Sequence, residues 1–127
     1  MLLFVYGTLR KGGHNHWRIE TQPCVGYTTT IEPMYMVAQP SRSWPFVSRH
    51  QMLPDTNPTP ITGELYDVDE QTLFGLDALE FRYVRTPIQT ECGKTAYMYL
   101  LEDQVLLKEI RDSGRFIPFK TGDWFGS

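Results

Sequence analysis

Cysteine is scarce in this 127-residue chain: Cys24 and Cys92 are the only two, and they are far apart. They form no C-x-x-C motif and no disulfide framework. One bridge between them is possible, but two free thiols in a reducing compartment are the expectation. Long apolar runs are missing too, since nothing approaches the roughly 18 residues that span a membrane. Met1-Leu2-Leu3-Phe4 has no basic segment before it and no small-residue cleavage site after it, so it reads as a strand and not as a signal peptide. Positive charge is in short supply. Twelve Lys and Arg against fifteen Asp and Glu leave a formal net charge of -3, which argues against general nucleic-acid binding. No phosphate-loop or dinucleotide glycine pattern is present. His14 and His16 lie two apart, but no Cys, Asp or Glu stands nearby at a ligating spacing, so no metal is expected. There is no internal repeat, low-complexity tract or domain boundary. The expectation is a single domain over residues 1–127, cytoplasmic, with no nucleic-acid or membrane partner.

Aromatic residues, by contrast, are plentiful, with seven Phe, seven Tyr and three Trp. The most informative stretch is near the start. Met1 to Tyr6 is unbroken apolar sequence, cut off at Gly7 and followed by Arg10-Lys11-Gly12-Gly13. Such a run reads as a buried strand entering a loop. Glycines there let the backbone bend sharply and approach a ligand. Successive N–H groups in such a bend can form an anion-binding concavity. The loop therefore reads as the floor of a site, with a plain strand-turn as the alternative. Arg10 and Lys11 either attract an anion or are simply solvated.

Further strands are expected at Val25 to Ile31, Pro33 to Val37, Trp44 to Val47 and Ile61 to Val68. Pro33 and Pro40 bracket the second of these and make it short or an edge. Residues 53–60 hold three prolines and read as an exposed connector or a partly ordered lid. Asp69 is a good helix N-cap, with a helix expected to about Leu79. Leu73, Leu76 and Glu80 fall at i, i+3 and i+7, which puts a carboxylate on the apolar stripe. A buried carboxylate finds a partner, faces a cavity, or is held protonated. The alternatives are that the helix ends and Glu80 points to water, or that it pairs with Arg82 or Arg85. Tyr83 to Thr90 and Thr95 to Leu101 form a hairpin around Cys92-Gly93-Lys94. Val105 to Ile110 is a helix or a strand. Phe116 to Phe119 and Gly122-Asp123-Trp124 are a tail able to pack back on the body. The whole is an α+β domain, a curled or closed sheet with helices outside.

Tyr6-Gly7-Thr8-Leu9 with Arg10-Lys11-Gly12, then Gly63-Glu64-Leu65-Tyr66-Asp67-Val68-Asp69 with Leu73, then Leu76-Asp77-Ala78-Leu79-Glu80 and Tyr83-Val84-Arg85, resemble the γ-glutamylcyclotransferase-like family in its own order. The likeness is to γ-glutamylamine cyclotransferases and short bacterial members. The resemblance implies a mixed β-barrel, closed or strongly curled, flanked by helices. It implies a cofactor-free reaction in which a γ-glutamyl amine or amide cyclises to 5-oxoproline and releases the amine. Carried over by position, Glu80 matches the catalytic acid/base, and Tyr6, Gly7, Thr8 and Leu9 match the substrate-holding loop. Only Phe81 and Arg82 separate Glu80 from Tyr83, a shorter link than the family pattern. That link supports an alternative, a non-catalytic small-ligand-binding module on the same fold with Glu80 paired to an arginine. A third reading is an interaction protein using Trp17, Trp44 and Trp124.

Overall fold

The fold was analysed in a computed structural model that describes residues 1–41 and 44–125. Its strands are β1 (Leu2–Val5), β2 (Cys24–Thr29), β3 (Tyr35–Ala38), β4 (Pro45–Ser48), β5 (Thr62–Asp67), β6 (Tyr83–Gln89), β7 (Thr95–Leu101) and β8 (Ile117–Pro118). Its helices are α1 (Glu70–Leu79) and α2 (Gln104–Ser113), with a short 3-10 turn at His16–Arg18.

The apolar N-terminal run becomes the central strand of a five-stranded mixed sheet, ordered β2-β5-β1-β7-β6. β1 pairs antiparallel with β5 and parallel with β7. Burial on both faces explains its unbroken apolar sequence: Leu3, Phe4 and Val5 are all buried, in two different core clusters. A second sheet runs β4-β3-β8.

The expectation of a barrel meets a different arrangement here. The described strands form two hydrogen-bonded sheets and no closed barrel. β3, β4 and β8 pair only with one another, so they cannot complete the larger sheet. The extensions of edge strands β2 and β6 meet at a single antiparallel bridge, Thr30 to Thr90. One bridge brings the edges together without a continuous ladder.

β3 is short, as its flanking prolines imply, but it lies in the middle of its sheet, because Pro33 and Pro40 both fall outside the paired residues. Val105 to Ile110, for which the sequence allows helix or strand, lies within α2. Asp103 caps it by accepting from the amides of Val105 and Leu106, and Gly114 closes it in the left-handed region at φ 67°. The C-terminal tail does pack back: Phe119 is buried, and Trp124 lies against it with ring centroids 4.9 Å apart. Cys24 and Cys92 are free and exposed. No helix of the described residues is long and apolar enough to cross a membrane.

Candidate active site

β1 delivers Tyr6 to the edge of the sheet, and the chain then turns. Arg10 N–H donates to the Gly7 carbonyl at 3.0 Å, Gly13 N–H to that of Arg10 at 2.8 Å, and Asn15 N–H to that of Thr8 at 3.0 Å. None of these bonds within the turn is donated by Thr8 or Leu9. Side chains brace the outside. Asn15 Nδ2 donates to Thr8 Oγ1 at 3.0 Å, and His16 Nδ1 lies 2.9 Å from the Leu9 carbonyl, so that nitrogen carries the proton. Two glycines are needed for space. A Cβ on Gly7 would meet the Pro45 ring at 2.8 Å, and one on Gly13 would collide with the Thr8 carbonyl.

Arg10 does not face a ligand. It is buried, with Nε 3.2 Å from Glu64 Oε2, Nη1 2.8 Å from Asp123 Oδ1, and its guanidinium 4.8 Å from the centre of the Phe125 ring. Lys11 contributes its backbone N–H to Glu64 Oε1 at 2.9 Å and leaves its side chain exposed. Tyr66 donates to the same oxygen at 2.8 Å. Glu64, a buried charge in β5, thereby ties the loop to that strand. A buried acid inside Gly63-Glu64-Leu65-Tyr66 was the sequence signal for this lock.

Above the loop is a cavity of about 370 Å³. Tyr6, Gly7, Thr8, Leu9 and Glu80 all line it, so the residues singled out in the sequence come together around one space. Phe4, Trp44, Pro45, Tyr83 and Tyr99 complete much of the wall, with His14 and Asn15 on the loop side. Residues 53–60 are not part of the lining; Thr59 is tied by paired backbone bonds to Met34. Among the described residues no group of three or more His, Cys, Asp and Glu could hold a metal, and His16 is occupied with the loop.

Glu80 is the C-cap residue of α1, its N–H still bonded to the Leu76 carbonyl at 2.9 Å. The helix ends before it, yet the side chain turns to the cavity rather than to bulk water. Burial raises its carboxyl to about 7, while the Arg18 charge pulls weakly the other way. Neither nearby arginine pairs with it. Arg82 lies over the Phe81 ring at 5.7 Å, and Arg85 pairs with Asp77 at 3.3 Å and lies over Tyr97. Among the described residues Glu80 has no ion pair.

Three tyrosines share the cavity with Glu80. The Tyr6 hydroxyl donates to the Tyr99 carbonyl at 2.7 Å, and the Tyr99 hydroxyl donates to Asp77 Oδ1 at 2.6 Å. The third, Tyr83, is placed by the short link itself: its N–H donates to the Glu80 carbonyl at 2.8 Å. Its ring stacks on Phe46 at 6.4 Å and 15°. Burial raises all three phenols above their ordinary range, so each is a neutral O–H donor near neutral pH. Of the tryptophans, Trp17 is exposed, Trp44 borders the cavity, and Trp124 packs on the core.

The family model for γ-glutamyl cyclotransferase, AIG2-like proteins matches residues 3–125. The chain belongs to that family. It is similar to the γ-glutamylcyclotransferase family protein YtfP of Escherichia coli K12, 33% identical over 128 residues, covering 98% of this chain and 96% of that one. Among solved structures, an AIG2-like protein from Mus musculus superposes with a TM-score of 0.64 at 27% identity, over 80% of this chain and 77% of that one. An uncharacterised protein from Pyrococcus horikoshii, PH0828, superposes with a TM-score of 0.72 at 21% identity, over 98% and 89% of the two chains, and shares the fold. The family match thus spans both the Tyr6–Leu9 loop and Glu80.

Proposed function

We propose that this protein converts a γ-glutamyl amine or amide to 5-oxoproline and the free amine, with Glu80 as acid/base and the Tyr6–Leu9 loop as substrate clamp. The observation that carries the reading is Glu80. An unpaired acid with a carboxyl near 7 opens on a cavity floored by glycine-loop backbone. Near neutral pH both its forms are populated, which is what a group that takes a proton and then returns it requires.

The substrate supplies its own nucleophile. The cavity walls fold the γ-glutamyl chain so that the α-nitrogen approaches the γ-carbonyl carbon. Glu80 takes a proton from the α-ammonium, and the freed lone pair forms the new C–N bond. The bond from that carbon to the amine nitrogen then breaks, with Glu80 returning a proton to the leaving nitrogen. Two protons leave the α-nitrogen in all, and two end on the released ammonium, so the balance closes without a cofactor. The amides of Thr8 and Leu9, unused within the turn, are suited to hold the substrate's carboxylate.

A binding module with Glu80 neutralised by an arginine is the second reading. It is disfavoured by the partners that Arg82 and Arg85 have taken up and by the open space beside Glu80. The discriminating assay is 5-oxoproline release from a panel of γ-glutamyl amino acids, γ-glutamyl-ε-lysine and glutathione. Release from at least one is expected. Binding of these compounds without any release would favour the binding module.

A further inference from the structure

Tyr6, Tyr83 and Tyr99 line the same cavity, but their hydroxyls differ in what they can still do. A phenol has one proton to donate. Tyr6 commits its proton to the Tyr99 carbonyl, and Tyr99 commits its own to Asp77, which Arg85 holds from the far side. Tyr83 commits its proton to nothing among the described residues. Its ring is nevertheless held firmly, by the Phe46 stack on one side and by the backbone bond from its N–H to Glu80 on the other. A positioned, neutral donor beside the acid, in a largely apolar cavity, is costly to leave idle and valuable to a ligand. The two-residue link of Phe81 and Arg82 is what sets it next to Glu80.

We propose that Tyr83 is a second catalytic residue, its hydroxyl donating to the substrate's γ-carbonyl oxygen as negative charge builds there during ring closure. This rests on the cyclotransferase reading above. It divides the labour of the site: the loop amides hold the carboxylate, Glu80 moves protons, and Tyr83 steadies the oxyanion. No proton leaves Tyr83 in this step. The O–H shortens its bond to the oxygen as the carbonyl becomes tetrahedral and relaxes when the carbonyl re-forms.

The test compares Tyr83→Phe with Tyr6→Phe and Glu80→Gln in 5-oxoproline release, and titrates 5-oxoproline itself into each by calorimetry. Tyr83→Phe keeps the ring and its stack, so the melting temperature should hold, whereas Tyr6→Phe should lower it. Loss of one oxyanion donor costs kcat about 100-fold, and KM should change little. Wild-type turnover with Tyr83→Phe within about threefold of it would overturn the role of Tyr83 and leave the reaction standing. Absence of turnover in the wild type, together with equal 5-oxoproline affinity in wild type and Tyr83→Phe, would overturn both. A purely structural hydroxyl is excluded if kcat falls while melting temperature and KM hold.

Discussion

Arg10 and Glu64 meet in the interior with Nε and Oε2 3.2 Å apart, and both side chains are almost fully buried. One belongs to the glycine loop and the other to β5, so the pair fastens the candidate substrate loop to the sheet. Asp123 accepts from the other end of the same guanidinium at 2.8 Å, which brings the C-terminal segment into the lock. Arg10, which the sequence leaves open as an anion-attracting or a solvated charge, instead holds the loop.

Removing Arg10 leaves Glu64 as an uncompensated buried charge, whereas removing Glu64 leaves Arg10 still paired with Asp123. Arg10→Ala should cost about 3–5 kcal/mol in unfolding free energy by urea titration, and Glu64→Ala less, because the guanidinium keeps Asp123. The double variant should cost clearly less than the sum, because the buried carboxylate orphaned by Arg10→Ala is then gone. Additive losses would show that the two are not coupled.

Gly7 has no room for a side chain. Alanine there drives a methyl group into the Pro45 ring, a neighbour that cannot rotate away. Gly7→Ala should shift the loop, lower 5-oxoproline release by at least tenfold and cost about 1–3 kcal/mol of stability, the range for overpacking. Gly12→Ala is a useful contrast, because its Cβ would meet nothing within 4 Å although its φ of +93° is strained. It should cost stability more than activity, read by thermal melting beside turnover.

Glu80 links the site to stability through pH. Its carboxyl is raised in the fold to about 7, from an ordinary 4.5. The folded state therefore binds the proton more tightly than the unfolded chain does. That contribution is fully present below about 4.5 and is lost as pH rises through about 7. The loss is at most about 3 kcal/mol, reduced by water in the cavity. Glu80→Gln removes the ionisation, so the variant should fall behind or match the wild type at pH 4 and gain on it by pH 8 in thermal melts. An equal difference at both pH values would show that Glu80 is not buried as described.

Much of this was legible in the sequence, for local reasons. The run from Met1 to Tyr6 could only be a buried strand, and Asp69 does cap α1 by accepting from Thr72 N–H at 2.7 Å. Gly7 and Glu80 stand out because a glycine-rich turn and a misplaced carboxylate are visible in one dimension, and both line the cavity. Tyr99 was not, because it reaches the cavity through the parallel pairing of β7 with β1, nearly a hundred residues apart in sequence. The role of Arg10 was misread for the same reason: both its partners are distant, at Glu64 and Asp123. α2 stayed undecided because the apolar spacing of Val105 to Ile110 suits either element, and its flanking Asp103 and Gly114 were the deciding signs.

The most direct test of the central claim is the pH profile of kcat/KM for 5-oxoproline release, with Glu80→Gln run in parallel on the best substrate of the panel. In the wild type kcat/KM should rise with pH through a limb near 7, as Glu80 becomes able to accept the ammonium proton. Glu80→Gln should keep its fold and lose at least about 100-fold in rate, the usual scale of a general acid–base contribution. A folded Glu80→Gln variant with wild-type turnover and the same limb would contradict the mechanism outright.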